Sequence, residues 1–300
     1  MTTTTDPARS SALATLTLLA MTACWGSTFF LMHDVVDRVP PADFLAVRFA
    51  VASLAMLALA PRAIGRLSPR VRRHALVLGV LYGVAQILQT TGLAHTSAST
   101  SGFITGMYVI FTPLLAAGVL RTRITRTTWA AVLLALGGLG VLTLHGVSIG
   151  TGEGLTLLAA LLYAVHIVGL GAWSTPADAI GMSILQCLVI TAVCTVAAAP
   201  HGIAVPHRTG DWAALLYMAL FAGAAALLGQ TWAQAHLPPT RSAIIMSMEP
   251  VFAAFFAVLL GGEDLGARMV LGGAMVLTAM LVVELVPRRR IETEVLHIAV

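Results

Sequence analysis

Two segments of the chain, QTTGLAH at residues 89–95 and QTWAQAH at residues 230–236, share one pattern: Gln-Thr, three residues, Ala-His. They begin 141 residues apart, and Pro113 and Pro250 match at the similar offset of 137 residues. A near-constant offset across a chain of 300 residues indicates an internal repeat. The sequence therefore predicts two homologous halves.

The composition predicts that lipid surrounds both halves. Hydrophobic residues make up 58% of the chain and charged residues only 10%, which is unlike a soluble domain. Apolar runs of about twenty residues are long enough to cross a hydrocarbon core of ~30 Å as helices, and none alternates as a strand would. The predicted spans are 12–32, 41–60, 74–94, 98–120, 127–145, 154–173, 180–199, 211–234, 238–260 and 266–286.

The repeat unit contains five spans, and this odd number fixes its orientation. A second copy of an odd-span unit must enter the membrane upside down, as in transporters with inverted repeats. The predicted fold is an all-α integral membrane protein of ten transmembrane helices in two inverted-topology five-helix repeats. The repeats cover 12–145 and 154–286, between a cytoplasmic segment at 1–11 and a cytoplasmic tail at 287–300.

The basic residues, which are all arginine, predict the orientation in the cell membrane. With the N-terminus inside, twelve of the 17 lie on the cytoplasmic side, five of them in the loop 62–73. Only Arg38, Arg208 and Arg268 lie outside. This asymmetry follows the positive-inside rule, so both termini are predicted to be cytoplasmic. The positive net charge then reflects topology and gives no reason to expect a nucleic-acid partner.

Two longer stretches resemble a known family. WGSTFFLMHDVVDRVPPADFLAVRFAVASL at 25–54 and RSAIIMSMEPVFAAFFAVLLGGEDL at 241–265 are similar to the two repeat signatures of EamA-type transporters of the drug/metabolite transporter superfamily. The resemblance covers about 11–286. It implies a ten-span secondary transporter whose central cavity is lined by spans 1, 3, 4, 6, 8 and 9, with spans 5 and 10 at the periphery.

Polar and aromatic residues in those spans are the candidate substrate site. Aromatic rings with a hydrogen-bonding edge hold amphipathic solutes, and amides donate and accept without a fixed charge. Trp25–Thr28 falls opposite Tyr163–His166 in the other half. The alternative is helix packing or an interfacial role. The predicted lining residues are Trp25, Ser27, Thr28, Gln86, Gln89, Tyr108, Tyr163, His166, Gln230 and Gln234.

Glu249 lies near the middle of span 9 and is followed by Pro250. A carboxylate at that depth costs at least a few kcal/mol unless it is paired or faces a wet cavity. One interpretation is a group that takes and releases a coupling proton. The other is structural, because Pro250 leaves the carbonyl of Met246 without its helical donor and Glu249 would brace the kink.

Arg48 lies about 10 Å into span 2, within snorkelling distance of the outer interface. Its predicted role is an anchor that pairs with Asp43 or Asp37, with substrate binding as the alternative. Gln186 occupies the corresponding place in the second half, so the fold does not require a charge there.

The sequence thus predicts a secondary active transporter that exports small metabolites or drug-like solutes, with no cofactor, metal or catalytic residue. The alternatives are a membrane receptor or scaffold, and an intramembrane enzyme. No nucleophile with a neighbouring base and no GxxxxGK[ST] phosphate loop is present. The glycines of spans 5 and 10 fit either packing within the chain or a dimer contact, namely Gly137, Gly138, Gly140, Gly272 and Gly273.

Overall fold

The structure is a computed structural model that describes residues 7–36, 38–96, 98–121, 124–143, 150–261 and 266–285. The regular elements in these ranges are all helical. The first half contains α1 (Pro7–Val36), α2 (Pro41–Leu59), α3 (Pro69–Leu93), α4 (Ala98–Gly106), α5 (Tyr108–Val119) and α6 (Arg126–Thr143). The second half contains α7 (Thr151–Trp173), α8 (Ala179–Ala198), α9 (Thr209–Tyr217), a π-helix (Met218–Ala225), α10 (Ala226–Gln234), α11 (Pro239–Met246), α12 (Glu249–Gly261) and α13 (Ala267–Leu285).

Five of the helical segments are long and apolar enough to cross a membrane unaided by their neighbours. They are Pro41–Leu59, Pro69–Leu93, Thr151–Trp173, Ala179–Ala198 and Thr209–Gln234. Shorter apolar helices occur at Ile104–Val119, Arg126–Val141 and Ala267–Val282. The all-helical prediction is therefore confirmed within the described ranges. Two of the predicted spans, 98–120 and 238–260, are each divided into shorter helices, and the span 211–234 is continuous but has a π-helix in its middle.

Prolines set several of these helix boundaries. Pro41 and Pro69 lie at the start of α2 and α3, where a missing N–H costs nothing because the first turn has no acceptor for it. Ser68 caps α3 by accepting a hydrogen bond from Val71 N at 3.3 Å. Pro250 has no N–H to donate to the carbonyl of Met246, and the helix is interrupted there, between α11 and α12.

The distribution of polar residues is the reverse of that in a soluble protein. Gln86 and Gln186 are 9% and 0% exposed, whereas Leu54 and Leu59 are 67% and 87% exposed. Because lipid tails cannot satisfy an amide, polar side chains belong inside a membrane protein and leucines belong on its outer surface. This pattern fits a chain with lipid around it and a polar centre.

Helices from both halves enclose that centre. α3 packs against α7 and α8, α2 packs against α8 and the π-helix, and α1 packs against α10 and α12. α6 and α13 pack against each other, where a methyl group on Gly138 would lie 2.8 Å from the Gly272 carbonyl oxygen and from Met275 Cβ. Of the two interpretations of these glycines, the structure therefore supports packing within the chain.

Two further glycines permit backbones to approach closely at the centre. A methyl group on Gly79 would lie 2.7 Å from Val189 Cβ and 3.0 Å from the Gln186 carbonyl oxygen. On Gly26 it would lie 2.7 Å from Ala253 N and 2.8 Å from the Glu249 carbonyl oxygen. Since real contacts are longer than this, any larger residue would push α3 from α8, or α1 from α12.

We expect Gly79→Ala to lower the free energy of unfolding by about 1–3 kcal/mol, because the added methyl overpacks the contact between α3 and α8. Gly118→Ala is the matched control, since nothing lies within 4 Å of a methyl at Gly118. It should be neutral or stabilising by up to about 1 kcal/mol. Thermal unfolding in detergent measures both, and equal midpoints for the two variants would contradict the close approach.

Candidate functional site

A central cavity lies between the two halves and is lined by residues from α1, α2, α3, α4, α5, α7, α10, α11 and α12. Of the predicted site residues, it brings together Trp25, Thr28, Arg48, Gln86, Gln89, Tyr108, Tyr163, His166, Gln230 and Glu249. Residues that the sequence interpretation did not include also line it, namely Met32, Tyr82, Thr105, Ile167 and Met246. Ser27, Gln234, Asp43 and Pro250 are not among the lining residues.

The hydroxyl group of Tyr163 is the hub of a polar chain along one wall. It accepts a hydrogen bond from Gln86 Nε2 at 2.8 Å and donates one to Gln89 Oε1 at 2.7 Å. Gln89 Nε2 donates in turn to Thr105 Oγ1 at 3.1 Å. Polar side chains from α3, α4 and α7 thus satisfy one another's hydrogen bonds, which fixes the rotamers of these wall residues.

Aromatic rings form a second part of the wall. The Tyr82 ring meets the Tyr163 ring edge-on with centroids 5.4 Å apart, and its centroid lies 4.9 Å from that of His166. Phe49 packs behind Tyr82 at 6.5 Å. Edge-to-face pairs of this kind hold ring planes in place, so the cavity presents a rigid aromatic surface to a solute. Tyr82 was not among the lining residues predicted from the sequence.

His166 is fixed by the residue that corresponds to Arg48. Gln186 Nε2 donates to the Met182 carbonyl oxygen at 3.3 Å, which leaves Gln186 Oε1 as the acceptor for His166 Nε2 at 2.9 Å. The neutral imidazole then carries its proton on Nε2, and Nδ1 is an acceptor. Nδ1 is buried and has no partner in the described part of the chain.

Other lining residues also present unused polar atoms. The Tyr108 hydroxyl and Gln230 Oε1 are buried and lack a hydrogen-bond partner among the residues described. Buried polar atoms without a partner are uncommon, because each costs about 1–3 kcal/mol. Together with His166 Nδ1 they provide a hydroxyl donor and two acceptors for a polar solute or for water.

Two side chains of the first half are held by carbonyl groups of the π-helix. Trp25 Nε1 donates to the Ala222 carbonyl oxygen at 2.9 Å, and Arg48 Nε donates to the Met218 carbonyl oxygen at 3.3 Å. The two carbonyls are four residues apart and lie on one side of the helix. A π-helix is rare and often occurs at functional sites, and here its wider turns position two cavity residues at once.

The expected pairing of Arg48 with Asp43 is not made. Asp43 Oδ2 accepts a hydrogen bond from Ala204 N at 2.9 Å, on the loop between α8 and α9. Five residues along a helix correspond to a rotation of about 140°, so the two side chains of α2 point to different sides. The other expected partner, Asp37, lies outside the described residues.

Ser27 and Gln234 contribute to packing around the cavity. Ser27 Oγ lies 2.7 Å from the Tyr217 hydroxyl and 2.7 Å from the Cys24 carbonyl oxygen, which joins α1 to α9. Gln234 Oε1 accepts from Gln230 Nε2 at 3.0 Å, and Gln234 Nε2 donates to the Ile167 carbonyl oxygen at 3.0 Å. Ser27 and Gln234 were predicted to line the cavity, but in the structure their side chains form hydrogen bonds between helices.

Glu249 lies at the start of α12, half-buried, with its side chain on the cavity. In the described ranges its carboxyl group forms neither a hydrogen bond nor an ion pair. The position corresponding to it in the first half is Thr112, whose buried hydroxyl is also without a partner there. The helix is interrupted beside Pro250, and no hydrogen bond from the Glu249 carboxyl group spans that break among the described residues.

A helical chain with an apolar surface and a polar cavity between two repeats defines an integral membrane protein of the transporter class. The model of the EamA-like transporter family matches residues 12–144 and 150–285. The chain therefore belongs to the EamA-like transporter family, as the resemblance of its two signature stretches predicted.

Relatives of this chain carry transporter names. It is 29% identical over 281 residues to an uncharacterized transporter of Archaeoglobus fulgidus, covering 91% of this chain and 86% of that protein. It is 24% identical to the uncharacterized inner membrane transporter YedA of Escherichia coli K12, with 89% of each chain covered. A solved crystal structure at 18% identity has a TM-score of 0.78 and covers 92% of this chain and 98% of that one, which shows a shared fold.

We expect Tyr163→Phe to destabilise the protein by about 1–3 kcal/mol, because it leaves Gln86 Nε2 and Gln89 Oε1 unpaired in a buried wall while keeping the ring. Tyr217→Phe is the control. Its hydroxyl bonds Ser27, which keeps a second partner, so that loss should stay within about 0.5–1.5 kcal/mol. Thermal unfolding of both variants is the measurement, and an equal or smaller loss for Tyr163→Phe would contradict the hub.

Proposed function

We propose that the protein is a secondary active transporter that exports small metabolites or drug-like solutes by alternating access. The observation that carries this proposal is the central cavity, to which both family repeats contribute lining residues. It combines rigid aromatic walls, unpaired hydrogen-bonding atoms and two charged groups. Such a site binds one small solute, and movement of one group of helices against the rest exposes it to each side in turn.

The proposed architecture is ten transmembrane helices in two inverted repeats, 12–145 and 154–286, with both termini cytoplasmic. α1 already begins at Pro7, so part of the proposed cytoplasmic segment 1–11 is helical. The proposed tail 287–300 lies outside the described residues. The inverted arrangement is supported by the odd number of apolar runs per repeat and by the arginine asymmetry of the loops.

Within the cavity, we assign solute contact to the aromatic and amide residues and proton exchange to Glu249. A carboxyl group that lacks a partner among the described residues, yet lies against a cavity, has water as its proton donor and acceptor. Thr112 in the other half carries no exchangeable charge, so one carboxyl group serves the whole cycle.

Solute flux in proteoliposomes tests the proposal. The purified protein is first screened by thermal shift against amino acids, hydrophobic cations and vitamins, since a ligand of the native state raises stability. Stabilising solutes are then assayed for movement into sealed vesicles with and without a pH gradient. Accumulation driven by the gradient supports secondary transport, whereas binding without flux indicates a receptor or scaffold and chemical change of the solute indicates an enzyme.

The topology is tested by single cysteines in a background in which Cys24, Cys187 and Cys194 are replaced by serine. Arg70→Cys and Ile203→Cys lie on exposed positions at the two ends of the helices. We expect a membrane-impermeant maleimide applied to intact cells to label Ile203→Cys only, and labelling of Arg70→Cys to require permeabilisation. Labelling of both from the same side would remove the inverted repeat.

Glu249→Gln tests the coupling role. The amide keeps the shape of the side chain but cannot exchange a proton, so accumulation driven by the pH gradient should fall at least about tenfold while thermal stability and solute binding persist. Glu153→Gln is the matched control, since Glu153 accepts hydrogen bonds from Thr96 and Gly150 at the start of α7 and lies away from the cavity. Wild-type accumulation by Glu249→Gln would assign it a structural role alone.

A further inference from the structure

Arg48 is a buried cation, and no counter-ion for it lies among the described residues. It is 5% exposed, and in the described part of the chain it forms no ion pair. Its one hydrogen bond there is from Nε to the Met218 carbonyl oxygen, and its guanidinium carbon lies 5.2 Å from the Phe49 ring centroid. A buried charge left unpaired costs several kcal/mol, so an anion bound in the cavity beside Arg48 would be stabilised by it.

Among the residues whose side chains the structure describes, the candidate carboxylates are engaged elsewhere or form no ion pair with Arg48. Asp43 accepts from Ala204 N, and Asp211 pairs with Arg38 at 2.5 Å. Glu249 lines the same cavity, yet no ion pair joins it to Arg48. The cation and the acid are therefore held apart in one cavity.

The fold itself functions with a neutral residue at this place. Gln186, at the corresponding position of α8, is fully buried and bonds His166 and the Met182 carbonyl oxygen. If a charge were needed to join these helices, the second half would require it too. The guanidinium at Arg48 is thus an addition to the fold that only the first half carries, and it faces the site for solute.

The free edge of the guanidinium is directed at the cavity. Nε is bound to the π-helix, while Nη1 and Nη2 have no hydrogen-bond partner in the described ranges and Arg48 lines the cavity beside Tyr82 and Gln86. A planar pair of N–H donors matches a carboxylate in a bidentate arrangement. Trp25 and Tyr163, which line the same cavity, suit an apolar or aromatic body.

We propose that the solute is an organic anion with a single carboxylate-type head group bound by Arg48 and an apolar or aromatic body held between the rings. This inference deepens the proposed function and rests on it. It assigns Arg48 as a substrate-binding residue, in place of the membrane anchor expected from the sequence.

Three probes with the same phenyl ring and chain test the head group: 3-phenylpropionate, its isosteric amide 3-phenylpropionamide, and the cation 3-phenylpropylamine. We expect the carboxylate to bind wild-type protein at least about tenfold more tightly than the amide, because only the carboxylate accepts two charge-assisted hydrogen bonds from Arg48. The amine should bind no better than the amide. Ligand-dependent thermal shift in detergent at fixed salt gives the affinities, and equal binding of carboxylate and amide would overturn the proposal.

Arg48→Gln is the decisive variant, since it installs the residue that the second half uses at this position. It should fold, bind the amide as the wild type does and lose the preference for the carboxylate. Arg62→Gln removes an exposed arginine from a loop and should keep that preference. A carboxylate preference that persists in Arg48→Gln would overturn the assignment.

Arg48→Lys covers the case in which Arg48→Gln fails to fold. Lysine keeps the charge but lacks the planar donor pair, so the preference for the carboxylate should shrink by about tenfold or more; an unchanged preference would overturn the bidentate contact. Flux assays separate the two proposals. Carboxylate binding at Arg48 without flux would refute transport alone, and flux of solutes with no preference for anions would refute this inference alone.

Discussion

The structure depends on one constraint: the hydrocarbon core of the membrane cannot form hydrogen bonds with a polar side chain. Every amide and hydroxyl of the apolar helices must find a protein partner or a cavity, because water is absent around the chain. The Tyr163 hydroxyl meets this requirement for Gln86 and Gln89, and Gln186 meets it for His166. Satisfying these groups draws α3, α4, α7 and α8 together, so the same contacts that lower the cost of polar residues in lipid build the wall of the site.

The two halves share a fold but differ in charge. Amides occur in both halves, since Gln89 in α3 corresponds to Gln230 in α10. The charged residues do not: Arg48 corresponds to the neutral Gln186, and Glu249 corresponds to the neutral Thr112. Helix packing tolerates these exchanges because neither charge is paired with another helix in the described ranges. The duplicated scaffold thus supplies the shape of the cavity, and its chemistry comes from residues present in one copy only.

The helices were predictable because long apolar runs have few alternatives in lipid, and the repeat located equivalent residues without any structure. The lining residues were partly predictable, since polar side chains in apolar runs must face inward. The direction in which each side chain points around its helix axis was harder to predict. Trp25 and Thr28 are about 300° apart in rotation, or 60° the short way, and share a face, whereas Ser27 is turned about 160° from Trp25 toward Tyr217.

Contacts between distant segments were not predictable from local patterns. The partner of Asp43 is Ala204, 161 residues away, and nothing in the composition of Met218–Ala225 distinguishes a π-helix from an α-helix. Tyr82 was missed because its role depends on the neighbouring rings of Tyr163 and His166. Such features arise only when the helices are assembled, since burial and hydrogen bonding decide them after the secondary structure is set.

The contact at Gly26 gives the cavity a mechanical property. A methyl group on Gly26 of α1 would lie within 2.8 Å of Ala253 N, the Glu249 carbonyl oxygen and Phe252 Cβ, so the two helices meet with no space for a further side chain between them. Trp25 precedes Gly26, so the Trp25 indole and the Glu249 carboxyl group are carried by two closely packed segments, α1 and the first turn of α12. In the proposed transport cycle these two groups would move together, and the displacement would be taken up at other places such as the break between α11 and α12.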